Sequence, residues 1–162
     1  MQSAKDTFLL TLRDRLAVVN AARTVAIRGA LRPAVIADDV ELPLAQGEPM
    51  DCFVLQWLDE VIDSSEPLRL HALQCEVRYA TRGTQEFVGM DRGRVLASLD
   101  AELAQMLQPR FAPLQDFSGS AVVMRTTHVW WSEMEPSPVV VDGDVLRRAV
   151  KLTVYALEET EQ

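Results

Sequence analysis

Two histidines and two cysteines are all that the 162-residue chain offers as soft metal ligands and neutral-pH bases. No CxxC, HExxH or His-x-His spacing occurs, so neither a zinc site nor a histidine-centred catalytic site has a motif behind it. Cys75 stands four residues from His71, but a strand rises about 3.3 Å per residue, which sets the two roughly 13 Å apart and beyond hydrogen-bond reach. A pairing of His128 with His71 or Cys75 across a sheet leaves a structural role as the expectation. Two cysteines cannot build a disulfide framework, and both sit in segments that read as buried strands. Cys52 and Cys75 are expected to be core thiols in a reducing compartment. Nowhere do about 18 apolar residues run together, and the first residues lack a basic patch followed by an apolar stretch, so the chain reads as soluble and cytoplasmic, without a membrane partner. Positive charge is also short. With 16 Lys and Arg against 24 Asp and Glu, the net charge is −8, a field that repels phosphate backbones and argues against autonomous nucleic-acid binding.

What is present is alternation and helical periodicity. At 48% hydrophobic and 25% charged, the chain can bury one proper core, and with no internal repeat, low-complexity tract or linker it reads as a single domain over residues 1–162. Ser3 with Asp6 resembles an N-cap and its N3 acid, and Phe8, Leu9, Leu12, Leu16 and Val19 recur at helical spacing, predicting a helix from about Ala4 to Ala22. Thr24–Ile27 and Ala34–Ile36 read as short extended pieces limited by Gly29 and Pro33. Asp38 to Asp51 has two prolines, a glycine and five acids, a loop composition. Cys52 to Ile62 predicts a strand that ends at the turn residues Asp63 to Pro67. Leu68 to Thr81 predicts a second, with Leu73, Cys75, Val77 and Tyr79 on one face and Gln74, Glu76 and Arg78 on the other. Asp91 is placed to cap a helix carrying Val95, Leu96, Leu99, Leu103, Met106 and Leu107, closed by Pro109. Two alternating segments, Val122 to Trp131 and Val145 to Leu157, flank a Pro-rich loop from Glu135 to Gly143. In the last strand Arg148 is the one charged residue on the apolar side. The expected fold class is α+β: an antiparallel sheet of about four main strands with two helices packed on one face.

No catalytic, cofactor or metal residues are expected. The carboxylates Asp38, Asp39, Glu41, Glu48 and Asp51 do not match an ordered calcium loop and read as a solvated acidic segment. Gly89, Arg92, Gly93 and Arg94 at a helix start lack the spacing of a phosphate loop, and Ser118-Gly119-Ser120 lacks the strand and base of a nucleophile elbow. A rival reading is a small-molecule pocket between sheet and helices lined by His71, Cys75, Tyr79 and His128. Trp130 and Trp131 are adjacent in a strand, so only one of them can face the helix-covered core. The other packs either on the Pro136–Pro138 loop or on a neighbouring subunit.

The order of elements resembles that of the tail terminator proteins of long-tailed phages, small α+β subunits that cap the head-proximal end of the tail tube as a hexameric ring. The echoes are the strand His71 to Tyr79, the helix Val95 to Leu107 and the terminal Arg148 to Tyr155. The resemblance implies a virion structural protein of the tail, assembled in the host cytoplasm, with no enzymatic role. Its partners would be further copies of itself, a tail-tube protein and a neck or head-completion protein, with DNA passing through but not specifically bound. Trp130, Trp131, Met134 and Val140 are then the expected subunit interface, and Asp38, Asp39, Glu41 and Glu48 the expected partner loop. The long Glu135 to Gly143 connection and the long acidic segment depart from the family pattern.

Overall fold

A computed structural model describes residues 1–41, 47–64, 69–84 and 90–158. Helix α1 runs over Gln2–Val19 and buries Ala4, Phe8, Leu12 and Leu16, one residue per turn on a single stripe. Its start differs from expectation: Ser3 lies inside the helix, Met1 takes the cap position without a side-chain bond, and Asp6 accepts from Gln2 Nε2 at 2.7 Å. Its end comes three residues early because Asn20 leaves the helix to donate to Glu102 at 2.8 Å.

Strands β1 (Thr24–Ile27) and β2 (Ala30–Pro33) form a hairpin of their own, closed by Arg28 and Gly29 at φ 48° and 80°. Two consecutive positive φ values are the two-residue turn whose twist suits a hairpin, and a glycine at the second position takes that conformation without strain. Strand β3 (Val35–Ala37) is buried at every position, and the single helical turn α2 (Asp38–Glu41) follows it. The long strands are β4 (Phe53–Asp63), β5 (Leu70–Thr81) and β10 (Val145–Leu157), while α3 (Met90–Met106) presents Leu96, Leu99, Leu103 and Met106 to the core. Between α3 and β10 come β6 (Phe111–Asp116), β7 (Val123–Trp131), β8 (Glu135–Pro136) and β9 (Val140–Asp142).

The expected α+β fold of about four antiparallel strands is corrected by this arrangement: the described chain is mostly β, with ten strands in two sheets against three helices. The four expected segments are present as β4, β5, β7 and β10, but they belong to an eight-stranded mixed sheet in the order β3-β4-β5-β10-β7-β6, with β8 and β9 also pairing with β10. β3 runs parallel to β4, and every other pairing is antiparallel. A strand buried on both faces has no alternation to show, which is why Val35–Ala37 looks like a fragment in sequence. β6 also departs from expectation: it follows Pro109, which reads only as the close of a helix, and holds Pro113, which an edge strand tolerates because the missing N–H need cost no ladder bond. The Pro-rich connection from Glu135 to Gly143 is similarly part of the sheet, in two short pieces.

α1 and α3 cover one face of this sheet. Phe8 packs edge-on against Trp57 and Trp131, at centroid distances of 5.9 and 5.1 Å, and Phe53 against Tyr79 at 5.5 Å. The exceptional Arg148 is explained here: it faces α3, where its Nη1 donates to Asp100 Oδ2 at 2.6 Å and its Nε to the Ser137 carbonyl at 3.0 Å. Tyr79 donates its hydroxyl to the other oxygen of Asp100. Burial, with Asp100 beside it, pushes the phenol above its usual range.

Candidate functional site

The face of the sheet turned away from α1 and α3 carries an apolar row that crosses five strands. In register, Val61 of β4 lies beside Ala72 of β5, Ala72 beside Tyr155 of β10, Tyr155 beside Trp130 of β7, and Trp130 beside Phe111 of β6. Directly paired residues share a face, so the five side chains form one band. Trp130 and Tyr155 stack at 5.9 Å with planes 19° apart, and Phe111 meets the His128 ring edge-on at 6.0 Å. Leu70 and Leu157, paired with each other, widen the band by one row. Its ends are open: Val61 is 55% and Phe111 52% exposed. Val139, Val140 and Val141 of the β8–β9 segment are exposed as well. Scattered apolar residues on a surface are ordinary, but a contiguous aromatic and aliphatic band is the kind of surface that binds something.

Of the four expected interface residues, Trp131 lies on the other face. It is 3% exposed, donates from Nε1 to the Leu107 carbonyl at 3.0 Å, and has the Arg15 guanidinium 5.2 Å from its ring. Met134 is half-buried and packs on the core, whereas Trp130 and Val140 remain on the outer surface. The alternation of a strand thus separates the two tryptophans as expected, and the partner that stacks on Trp130 within the chain is Tyr155.

The acidic segment is not the solvated loop its composition suggests. Glu41 pairs with Arg13 Nη2, and Arg13 Nε donates to the Val35 carbonyl at 2.9 Å, locking α1 to β3. Asp38 and Glu48 both accept from Arg78, at 2.9 and 3.1 Å, and Glu48 also accepts from Arg147 at 3.1 Å. Three of the four expected partner-loop carboxylates are therefore engaged with arginines of the same chain, and only Asp39 stands exposed. Residues 42–46 of the segment lie outside the described residues. So do Gly89 and the turn at 65–67.

The rival pocket does not assemble. His71, Cys75 and Tyr79 lie buried along one strand, the imidazole bonded through Nδ1 to Glu60 Oε1 at 2.6 Å and the phenol to Asp100, while His128 is exposed on β7. Burial pushes Cys52 up to about 12 and Cys75 higher still, so neither thiol forms a nucleophile near neutral pH. At the start of α3 the Asp91 carboxylate accepts from the Thr84 hydroxyl at 2.7 Å and its amide at 2.5 Å, bonds that hold Asp91 below its usual range. Among the described residues no group of three or more His, Cys, Asp and Glu is arranged to hold a metal. The Ser118 amide donates to Asp116 Oδ1 at 2.8 Å within the turn.

The chain matches no described protein family, and no curated protein is similar to it. Among solved structures, a chain from the virion of a native gene transfer agent particle is similar over 96% of this chain and 98% of that one, at 12% sequence identity and a TM-score of 0.38. A likeness at that level carries no argument about role, and the function has to be read from the surfaces.

Proposed function

We propose that the protein is a structural subunit of a virion, and more specifically a tail terminator-like subunit that closes into a ring on the end of a tail tube and joins it to the neck. The observation that carries the reading is the five-strand apolar band on the helix-free face, from Val61 through Trp130 to Phe111. A contiguous apolar band of this kind suits a subunit buried between neighbours. The order of elements, with its long C-terminal strand, supports the finer assignment through the pattern it shares with tail terminators. The gene transfer agent likeness is compatible with a virion protein and carries none of the weight. An acidic chain also suits a channel through which DNA passes without adhering.

The test is the mass of the purified protein by light scattering across a concentration series, followed by binding to tail-tube subunits. The expected mass is near six subunits, or climbs toward it with concentration. A stable monomer at micromolar concentration that also ignores tail-tube subunits ends the proposal.

A further inference from the structure

A closed ring needs two different surfaces on each subunit that fit one another, because head-to-tail contacts, unlike two-fold ones, join unlike patches. Two unlike strand edges of opposite charge stand out on this chain. The first is the outer edge of β4. β3 covers that edge only from Phe53 to Leu55, and among the described residues no strand pairs with it from Gln56 to Asp63. This stretch exposes Leu58 (46%), Val61 (55%) and Ile62 (49%), and its charges are all acidic: Asp59, Glu60 and Asp63. Within the stretch the Glu60 amide donates to Asp59 Oδ1 at 2.8 Å and the Glu60 carboxylate is bonded to His71, which leaves one Asp59 oxygen without a partner among the described residues. Backbone that no neighbouring strand pairs, beside exposed branched side chains, makes a template for another strand.

The second is the β1–β2 hairpin. Its two strands pair only with each other among the described residues, it exposes Leu31 at 72%, and from Arg23 to Pro33 its charges are all basic. Arg23 is committed to Glu102 and Arg32 lies 3.5 Å from Glu41, but Arg28 at the turn is exposed and has no carboxylate within reach among the described residues.

Within one chain the two edges are not paired among the described residues: β1 and β2 pair only with each other, and β4 pairs only with β3 and β5. The base of the hairpin adjoins the start of β4, where the Phe53 amide donates to the Ala34 carbonyl at 2.8 Å. Asp59 lies six residues further along β4, about 20 Å away at strand rise, whereas a four-residue hairpin spans about 13 Å. Each edge is thus left to a neighbouring subunit, as a head-to-tail contact uses it.

We infer that a second copy of this chain adds its basic β1–β2 hairpin to the acidic outer edge of β4, with Arg28 of one subunit facing Asp59 of the next. This inference rests on the ring reading above and assigns its subunit contact. Main-chain pairing supplies the strand addition, Leu31 joins Leu58 and Val61, and the opposed charges select the register and reject a β4 edge facing a β4 edge.

The experiment is a charge exchange read by light scattering. Arg28→Asp suits the turn, since Asp tolerates positive φ, and Asp59→Arg removes only an exposed local bond to the Glu60 amide, so both single variants should melt close to the parent protein. Each single variant places like charges across the contact and is expected to need about tenfold more protein to assemble. The double variant restores opposite charges and assembles like the parent. An equimolar mixture of the two single variants also assembles, by alternation around the ring, because each then meets the other's opposite charge on both sides. Single variants that assemble like the parent overturn this contact and leave the ring reading standing. Single variants that are impaired but rescued by neither exchange nor mixing also overturn it. A parent protein that stays monomeric across the series overturns this contact, and one that also ignores tail-tube subunits overturns the ring reading with it.

Discussion

Arg23 donates from Nε and Nη2 to the two carboxylate oxygens of Glu102, joining the chain just past α1 to the C-terminal part of α3. Asn20 and Ser98 donate to the same carboxylate, at 2.8 and 3.3 Å, so the buried charge has four hydrogen bonds from three residues. Nothing in the sequence pairs position 23 with position 102. Arg23→Met leaves the carboxylate buried without its cation and is expected to cost about 3 kcal/mol of unfolding free energy in urea. Replacing both partners, Arg23→Met with Glu102→Leu, is expected to cost markedly less, because no uncompensated charge remains. A double variant as unstable as the single one would assign the loss to packing instead.

The pH dependence follows from the same carboxylate. Burial works to raise the Glu102 carboxyl, but the bonds from Arg23 and Asn20 outweigh it and leave the group below its usual range. Asp116 is lowered to about 2 by its bonds to Ser118 and to Arg125. A carboxyl depressed on folding contributes stability that is fully present above its unfolded value of about 4 and is lost as the pH falls through the folded value. Unfolding free energy should therefore be flat from neutral pH down to about 5 and decline below that. Glu102→Gln should be less stable at neutral pH and show a shallower decline. An identical acid slope in the variant would contradict the assignment.

The two tryptophans should separate stability from association. Trp131→Ala opens the core between Phe8 and Leu107 and should cost about 3–5 kcal/mol. Trp130→Ala removes only a half-buried ring stacked on Tyr155, so denaturant unfolding of dilute protein should change by about 1 kcal/mol. Its larger effect is expected on assembly, measured by scattering. Equal losses of stability in the two variants would show that the helix-free face is a second core rather than a contact surface.

Gly83 should be intolerant of a side chain. Its φ is +74°, and a Cβ there would lie 2.8 Å from Asp91 Oδ2, the oxygen that binds Thr84. Gly83→Ala is expected to cost about 2 kcal/mol, from backbone strain and displacement of Asp91 at the start of α3. Thermal melting decides it, with an unchanged midpoint as the contrary result.

Both thiols should be silent in the native protein. Cys52 and Cys75 are buried and their ionisation is pushed far above neutral pH. Alkylation at pH 8 should proceed only as fast as the chain unfolds, and should accelerate in parallel with denaturant unfolding. Rapid native-state labelling of either cysteine would show that its strand opens locally.

Local order was legible in the residues wherever one periodicity held for several turns or strand pairs. The stripe of Phe8, Leu12 and Leu16, the α3 stripe from Leu96 to Met106, and the alternation of β5 and β10 each follow from a face that meets the core while the opposite face meets water or a polar contact. Burial of the two cysteines and the opposite facing of Trp130 and Trp131 were determined in the same way, since adjacent residues of a strand must diverge. Only the tertiary structure decided the rest. β3 and β6 were illegible because one is buried on both faces and the other tolerates proline as an edge strand. The acidic segment could not be read as structural because its cations, Arg13, Arg78 and Arg147, come from distant elements. The apolar band also exists only once five strands are in register: Val61, Ala72, Phe111, Trp130 and Tyr155 are unremarkable in sequence, and contacts between residues so far apart are set by chain packing rather than by any local pattern.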